Sequence, residues 1–214
     1  MAGRRSTRAP LGSSATMFFL GSIEESRMSD AAAIYLMRLA KSPTMNEALR
    51  PRQGQPAVRR VVSAWLVNCP SRHEEALIER LNLMMQYSLE DALPLAVGIA
   101  QCDARYPLVE PSRRAFAVQM VGRFGSEDDA AALEPLLSDA TEILPRSAVN
   151  VAPATSYSVQ LRDVALATMV HLTGQDVKDY GFAQARRHPQ TVFDASSLGF
   201  ESDERRAAAA AHWQ

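Results

Sequence analysis

The sequence predicts an all-α protein in which antiparallel helices stack into a superhelix of about seven to nine helices. Three observations support this fold class. Apolar residues recur at the spacing of one helix face, as in the stripe Leu77, Leu81, Met84 and Met85. Helix-starting and helix-stopping residues punctuate most of the chain. Finally, three helical segments can be aligned with one another, as described below.

The first element is a basic, polar tail over residues 1–14, rich in Arg, Gly, Ser and Pro. This composition is typical of a disordered terminus. Ser29 is a good N-cap for a helix that runs through Ala40 with a broad apolar face. Pro43 is expected to break the chain, and residues 51–54 (Pro-Arg-Gln-Gly) read as a linker.

The second helix is predicted over residues 56–68, since Pro56 falls in a first turn where its missing N–H costs nothing. A third helix follows a Ser71 to Glu74 capping box, in which serine and glutamate satisfy each other's exposed amides. Asp91 is expected to cap a further helix that ends near Cys102.

The next predicted helix covers residues 112–124 and is stopped by Gly125. Ser126 and the three acids after it open another helix, which ends near Ser138. Residues 140–157 then contain two prolines and show no helical period. They are therefore predicted to be a non-helical insertion.

The last strong helix is predicted over residues 159–173, and a final alanine-rich helix is capped at Ser202 and ends near Trp213. The chain thus divides into the disordered tail, a helical repeat domain over residues 15–182 and a loosely structured C-terminal segment, 183–214, with its terminal helix.

An internal repeat is visible in the three helices. Arginine holds the second place in each, at Arg59, Arg113 and Arg162, which are 54 and 49 residues apart. The last two helices share a glycine twelve residues after the arginine, Gly125 and Gly174. Glycine at such a position is typical of a left-handed helix C-cap. The aligned segments are 58–66, 112–120 and 161–169.

This pattern resembles HEAT-like repeats, including the short units of phycobilisome lyases, and is similar to bacterial HEAT-like proteins of undefined function. Residues 133–139 look like the second helix of one unit and residues 161–166 like the first helix of the next. The resemblance is good over 112–174, moderate over 55–101 and weak elsewhere. It implies a polar ladder in which aspartate and arginine pair between units. Its residues would be Asp139, Arg162, Arg113 and Arg59.

The sequence departs from that family at the insertion, because 23 positions separate Asp139 from Arg162 where short HEAT units have only a few. Long non-helical loops in compact domains are usually functional or disordered. Both a hairpin and disorder are compatible with this sequence. We expect it to be an interaction loop, with these candidate contact residues: Ile143, Leu144, Arg146, Val149, Asn150 and Val151.

No constellation of catalytic or metal-binding residues stands out. None of the four histidines has a second His or Cys at metal-ligand spacing. Cys69 and Cys102 are interpreted as buried apolar side chains, with a disulfide between them still open. Nucleophile elbows, phosphate-binding loops and zinc-protease motifs are missing from the sequence. We therefore predict no enzyme activity and no cofactor. The histidines are His73, His171, His188 and His212.

The leading functional hypothesis is a scaffold or adaptor that binds a protein partner of unknown identity, since stacked helices present an extended surface. With 23 basic and 24 acidic residues, the charge argues against a nucleic-acid binder. No apolar stretch is long enough to span a bilayer and no convincing signal peptide is visible, so a cytoplasmic location is the default expectation. A structural module of a larger protein and a lyase-like HEAT enzyme remain alternatives.

Overall fold

The computed structural model describes residues 12–24, 28–51, 53–71, 73–106, 109–144 and 157–213. Within them the chain is mostly helical, as predicted, and forms nine α-helices. Their bounds are α1 Gly12–Glu24, α2 Asp30–Ala40, α3 Pro43–Leu49, α4 Pro56–Asn68, α5 Glu74–Tyr87, α6 Leu93–Ala100, α7 Pro111–Phe124, α8 Leu161–Leu172 and α9 Asp203–Trp213.

Two short strands, β1 (Glu142–Leu144) and β2 (Val159–Gln160), pair antiparallel on either side of residues 145–156. The segment Glu127–Ser138, predicted as an α-helix, is a long 3₁₀ helix with Pro135 inside it. Proline has no N–H to donate, which disfavours a regular α-helical turn there. Shorter 3₁₀ turns are Glu90–Ala92, Val177–Tyr180 and Ala195–Ser197.

The chain divides into two compact units, residues 1–92 and 93–214. In the first unit, α1 packs against α4, where Phe19 meets Trp65 edge-to-face with ring centroids 5.1 Å apart. Helix α2 packs against α5. The hydroxyl of the buried Tyr87, at the end of α5, donates to the side chain of Asn46 on α3 at 2.6 Å. Burial of these large side chains supplies the main driving force for folding of this unit.

In the second unit, α8 is the central helix and packs against both α7 and the long 3₁₀ helix. Nine of its twelve residues are buried. A helix apolar around most of its circumference must be covered on several sides. The C-terminal segment supplies part of that cover, since Phe182, Phe193, Leu198 and Phe200 are all buried. Residues 183–202 therefore contribute to the core although they hold little regular structure.

Three local predictions need correction. Pro43 does not simply break the chain, because it occupies the first turn of α3, a position that suits its fixed φ angle. Ser71 forms no capping box with Glu74; its hydroxyl donates instead to Asp30 on α2 at 2.5 Å. Asp91 lies within a 3₁₀ turn rather than at a helix cap. The caps at Ser29 and Ser202 are confirmed by their bonds to the amides three residues on.

The two repeat glycines serve different purposes. Gly174 has φ +73°, the left-handed conformation predicted for it. Gly125 is extended, with φ −81° and ψ 177°, so its predicted left-handed cap is wrong. A Cβ at Gly125 would lie 2.6 Å from the carbonyl oxygen of Val121. Glycine is required there by close packing against the backbone and not by a positive φ.

Candidate functional site

The insertion is held at its base by the β1–β2 pair. Glu142 lies opposite Gln160 and Leu144 opposite Val159, with a bulge between the two pairs. Below the strands, the amide of Leu161 donates to the carbonyl of Thr141 at 2.9 Å. The base is thus joined directly to the first turn of α8, the most buried helix of its unit.

A second set of bonds fixes the returning end of the insertion. The backbone of Ser158 exchanges two hydrogen bonds with Phe200, each of 3.1 Å. The buried Tyr157 accepts from the amide of Gly199 at 2.8 Å and donates to the carbonyl of Ser196 at 3.1 Å. The C-terminal segment therefore anchors the point at which the chain leaves the insertion.

A buried ion pair lies beneath this anchor. Arg206 on α9 donates to Asp163 on α8 at 2.7 Å, and both side chains are almost completely buried. The guanidinium also donates to the carbonyl and the hydroxyl of Ser158, at 3.2 and 3.0 Å. Burial raises the pKa of Asp163, and the bonds from Arg206 and from the amide of Gln160 oppose that rise. The ion pair links α8, α9 and β2.

The predicted interaction loop falls only partly within the described residues. Ile143 is buried, so it belongs to the base of the insertion and cannot contact a partner without rearrangement. Leu144 is the last residue of β1. The remaining candidates lie outside the described residues: Arg146, Val149, Asn150 and Val151.

The predicted polar ladder is corrected by the observed partners. The carboxylate of Asp139 pairs with Arg114 at 2.8 Å, next in sequence to the Arg113 that the repeat alignment selects. Asp139 and Arg162 meet through the backbone, where the amide of Arg162 donates to the carbonyl of Asp139 at 3.0 Å. The Arg162 side chain donates to Gln160 at 2.6 Å. Successive side chains of an α-helix point about 100° apart, so Arg113 and Arg114 lie on different faces of α7. The face that carries Arg114 is the one that meets Asp139.

The pKa of Asp139 reflects this environment. Partial burial alone raises it, but hydrogen bonds from Thr141 and the neighbouring Arg114 bring the pKa below its ordinary value. Arg113 is half-exposed and lies 3.6 Å from Glu110. Its place in the predicted ladder is therefore taken by Arg114.

Arginines cap the C-terminal ends of helices in both units. Arg59 donates to the carbonyls of Leu49, Tyr87 and Ser88 at 2.6 to 2.7 Å, at the ends of α3 and α5. Arg114 donates to the carbonyl of Ala100 at the end of α6 at 3.0 Å. A cation at this end satisfies orphan carbonyls and complements the helix dipole. Of the three repeated arginines, Arg59 therefore caps neighbouring helices, while in the second unit the cap is Arg114 and not the aligned Arg113.

Arg80 is the most buried of these caps and was not singled out by the sequence patterns. It is fully buried and donates to the carbonyl of Leu66 at the end of α4, at 2.8 Å through Nε. It also approaches the carbonyls of Ser71 and Val67, at 3.3 and 3.5 Å. The sequence did contain an indication of this role, because Arg80 lies within the apolar stripe of α5. An arginine buried there needs polar partners.

His171 takes part in the contacts that hold residues 186–194 against α7 and α8. Its Nδ1 accepts from Arg187 at 3.1 Å, and its ring meets Phe193 edge-to-face. Gln119 on α7 accepts from the amide of Phe193 at 3.1 Å. Burial, and then the charge of Arg187, lower the pKa of His171. Since arginine only donates, His171 must be neutral in this arrangement.

Other chemistry is limited in the part of the chain that the structure describes. No group of three or more His, Cys, Asp or Glu residues there is arranged to hold a metal ion. Cys69 and Cys102 are free thiols; Cys69 is buried and Cys102 is partly exposed. Among the described helices, none is long and apolar enough to cross a membrane.

Comparison with known proteins adds no relative: no known protein family, curated protein or solved structure matches this chain.

Proposed function

We propose that this protein is a non-catalytic helical scaffold that binds a protein partner through the insertion between β1 and β2. The observation that carries the proposal is the anchored base of that insertion. Twelve residues, 145–156, lie between two strand ends that are bonded to α8 and to the C-terminal segment. Binding residues are typically found on loops positioned by a rigid scaffold.

The sequence of the insertion supports a role in recognition. It has two prolines, Pro145 and Pro153, which reduce the conformational freedom lost on binding. Arg146 and Asn150 offer hydrogen-bond donors, and Val149 and Val151 offer apolar contact area. Such a mixed surface is typical of protein interfaces.

The HEAT-like arrangement remains part of this proposal. Arg59 caps the end of α3, and Arg114 caps the end of α6. A helical repeat in which an arginine on one helix caps the end of a neighbouring helix would produce this pattern. Stacked units of this kind present extended surfaces to proteins.

The test uses the full chain with a photo-reactive residue at Val149. Crosslinked protein is identified by mass spectrometry, purified, and titrated against wild type and two variants. The first variant replaces residues 146–155 with a Gly-Ser segment of equal length. The second, the matched control, carries Arg205→Ala on the exposed side of α9.

The proposal expects the Gly-Ser variant to bind at least about tenfold more weakly, a loss of roughly 1.4 kcal/mol. The control should bind as wild type does, and both variants should retain their helical circular dichroism. Equal binding by the Gly-Ser variant would remove the insertion from the mechanism. Turnover of a substrate by the purified chain would contradict the non-catalytic role.

A further inference from the structure

A cleft in the first unit is lined in part by polar and charged side chains that form no hydrogen bond or ion pair with other described residues. It has a volume of 470 Å³, within the range of roughly 300–1,000 Å³ common for small-molecule sites. One wall is the face of α4 that carries Pro56, Arg60 and Ser63, spaced as i, i+4 and i+7. The other wall is the segment 89–91 that follows α5.

Ser63 provides the first indication of a ligand. Its side chain is 1% exposed and lines the cleft. Its hydroxyl has no hydrogen-bond partner among the described residues. A buried hydroxyl without a partner costs free energy, and such groups in native proteins call for a missing partner.

The charged groups at the cleft provide the second indication. Arg60 is an exposed cation on the α4 wall, and Glu90 and Asp91 are exposed anions on the other wall. None of the three forms an ion pair within the described part of the chain. Arg59 also lines the cleft, but its guanidinium is committed to three backbone carbonyls. Among the residues that the structure describes, the cleft thus presents one available cation, Arg60, and two available anions, Glu90 and Asp91.

The start of α4 adds to the positive wall. Its N-cap residue, Gln55, gives no side-chain cap, and Pro56 occupies the first turn. The uncapped amides of a helix N-terminus favour a negative group. A carboxylate at this wall would therefore meet both the helix end and Arg60.

From these groups we infer that the cleft binds a small zwitterion of the amino acid or short peptide class. The ligand carboxylate pairs with Arg60 in a charge-assisted hydrogen bond, and the ligand ammonium faces Glu90 and Asp91. The hydroxyl of Ser63 bonds the polar backbone of the ligand. A simple anion would be repelled by the two carboxylates and a simple cation by Arg60. Only a ligand with both charges satisfies both walls.

The experiment titrates the full chain with the twenty free α-amino acids, glycylglycine and triglycine, using ligand-observed NMR and then calorimetry. The two glycine peptides vary the separation of the charges. For each compound that binds and has an uncharged side chain, the N-acetylated and C-amidated derivatives, which then carry a single charge, are measured as controls. We expect at least one zwitterion to bind, and its single-charge derivatives to bind at least about tenfold more weakly.

Variants then locate the binding. Arg60→Ala and the double variant Glu90→Gln, Asp91→Asn should each weaken binding at least about tenfold, and Ser63→Ala about fivefold. Ser63→Ala should also leave the melting temperature of the free protein equal or higher, because it removes an unpartnered buried hydroxyl. Arg38→Ala, an exposed arginine on α2, is the charge-matched control.

Thr168→Val is the matched control for Ser63, since the hydroxyl of Thr168 is also buried without a partner among the described residues but lies on α8 in the second unit. Both controls should bind within about twofold of wild type. The inference is overturned if no compound of the series binds, if single-charge derivatives bind equally well, or if Arg60→Ala leaves the affinity unchanged. These outcomes are independent of the insertion and of the proposed protein partner.

Discussion

The buried pair of Arg206 and Asp163 gives the most decisive prediction for stability. In Arg206→Met the long apolar side chain is kept but the guanidinium is lost. The carboxylate of Asp163 is then left buried without its 2.7 Å partner, and Ser158 loses two donors. Breaking a buried pair from one side costs about 3–5 kcal/mol. Against a total stability of roughly 5–15 kcal/mol, that is a large fraction.

The pH dependence of this loss has a definite sign. Burial already raises the pKa of Asp163, and removal of Arg206 takes away the main opposing bond. A folded-state pKa above the unfolded value of about 3.9 means that stability is full at low pH and is lost as the pH rises through the folded-state pKa. The variant should therefore lose less relative to wild type near pH 4 than near neutral pH, because the orphan carboxyl takes up a proton.

The assay is urea unfolding followed by far-ultraviolet circular dichroism at both pH values. Arg205→Met is the matched control, since Arg205 is its neighbour on α9 with a side chain 68% exposed and paired only at the surface. An exposed pair of this kind contributes about 0–1 kcal/mol. A loss below about 1 kcal/mol in Arg206→Met, or an equal loss in the two arginine variants, would refute the reasoning. Adding Asp163→Leu to Arg206→Met should recover part of the loss, because no buried charge then remains.

Three further predictions concern other parts of the chain. Arg80→Met should lower the unfolding free energy by about 2–4 kcal/mol, because it leaves the carbonyls at the end of α4 buried and unpaired; urea unfolding measures this. Gly174→Ala should lower it by about 1 kcal/mol, since alanine is strained at φ +73°, whereas the space around the position is open. His171 should titrate below its ordinary pKa in NMR, and the stability that depends on its neutral form should be lost as the pH falls through that folded-state pKa.

Each of these has a result that contradicts it. An Arg80→Met protein as stable as wild type would show that water replaces the guanidinium. A fully stable Gly174→Ala protein would mean that the C-cap relaxes to a negative φ. For His171, a pKa at or above its ordinary value would contradict the burial argument, and Arg187→Ala should bring the pKa of His171 closer to that value.

Local structure was the part most accessible from the sequence. The helices beginning at Asp30, Pro56 and Asp203 were predicted within a residue, because a cap or a first-turn proline marks each start chemically. The end of the helix near Gly174 was also visible. These features depend on residues that are close in sequence, so they can be predicted without knowing the tertiary structure.

Partner choice was decided by tertiary structure. The sequence selected Asp139 and Arg162 as a pair, but Asp139 pairs with Arg114, and Ser71 bonds Asp30 across 41 residues. A polar side chain bonds whichever partner the packing brings within about 3 Å. The residues near it in sequence do not indicate which distant residue that partner will be. For the same reason the roles of Arg80 and Arg206 were not visible, because their buried partners lie on other elements.

What the sequence by itself determined is a mostly helical chain, several of its helix starts and the repeated arginine. Only the tertiary structure decided that Arg59 and Arg114 cap helix ends, that a strand pair closes the base of the insertion, and that Ser63, Arg60, Glu90 and Asp91 line one cleft. The physical reason is the distance along the sequence over which each interaction acts. Periodicity and capping act over a few residues, whereas burial and polar satisfaction depend on which distant segments share the same space.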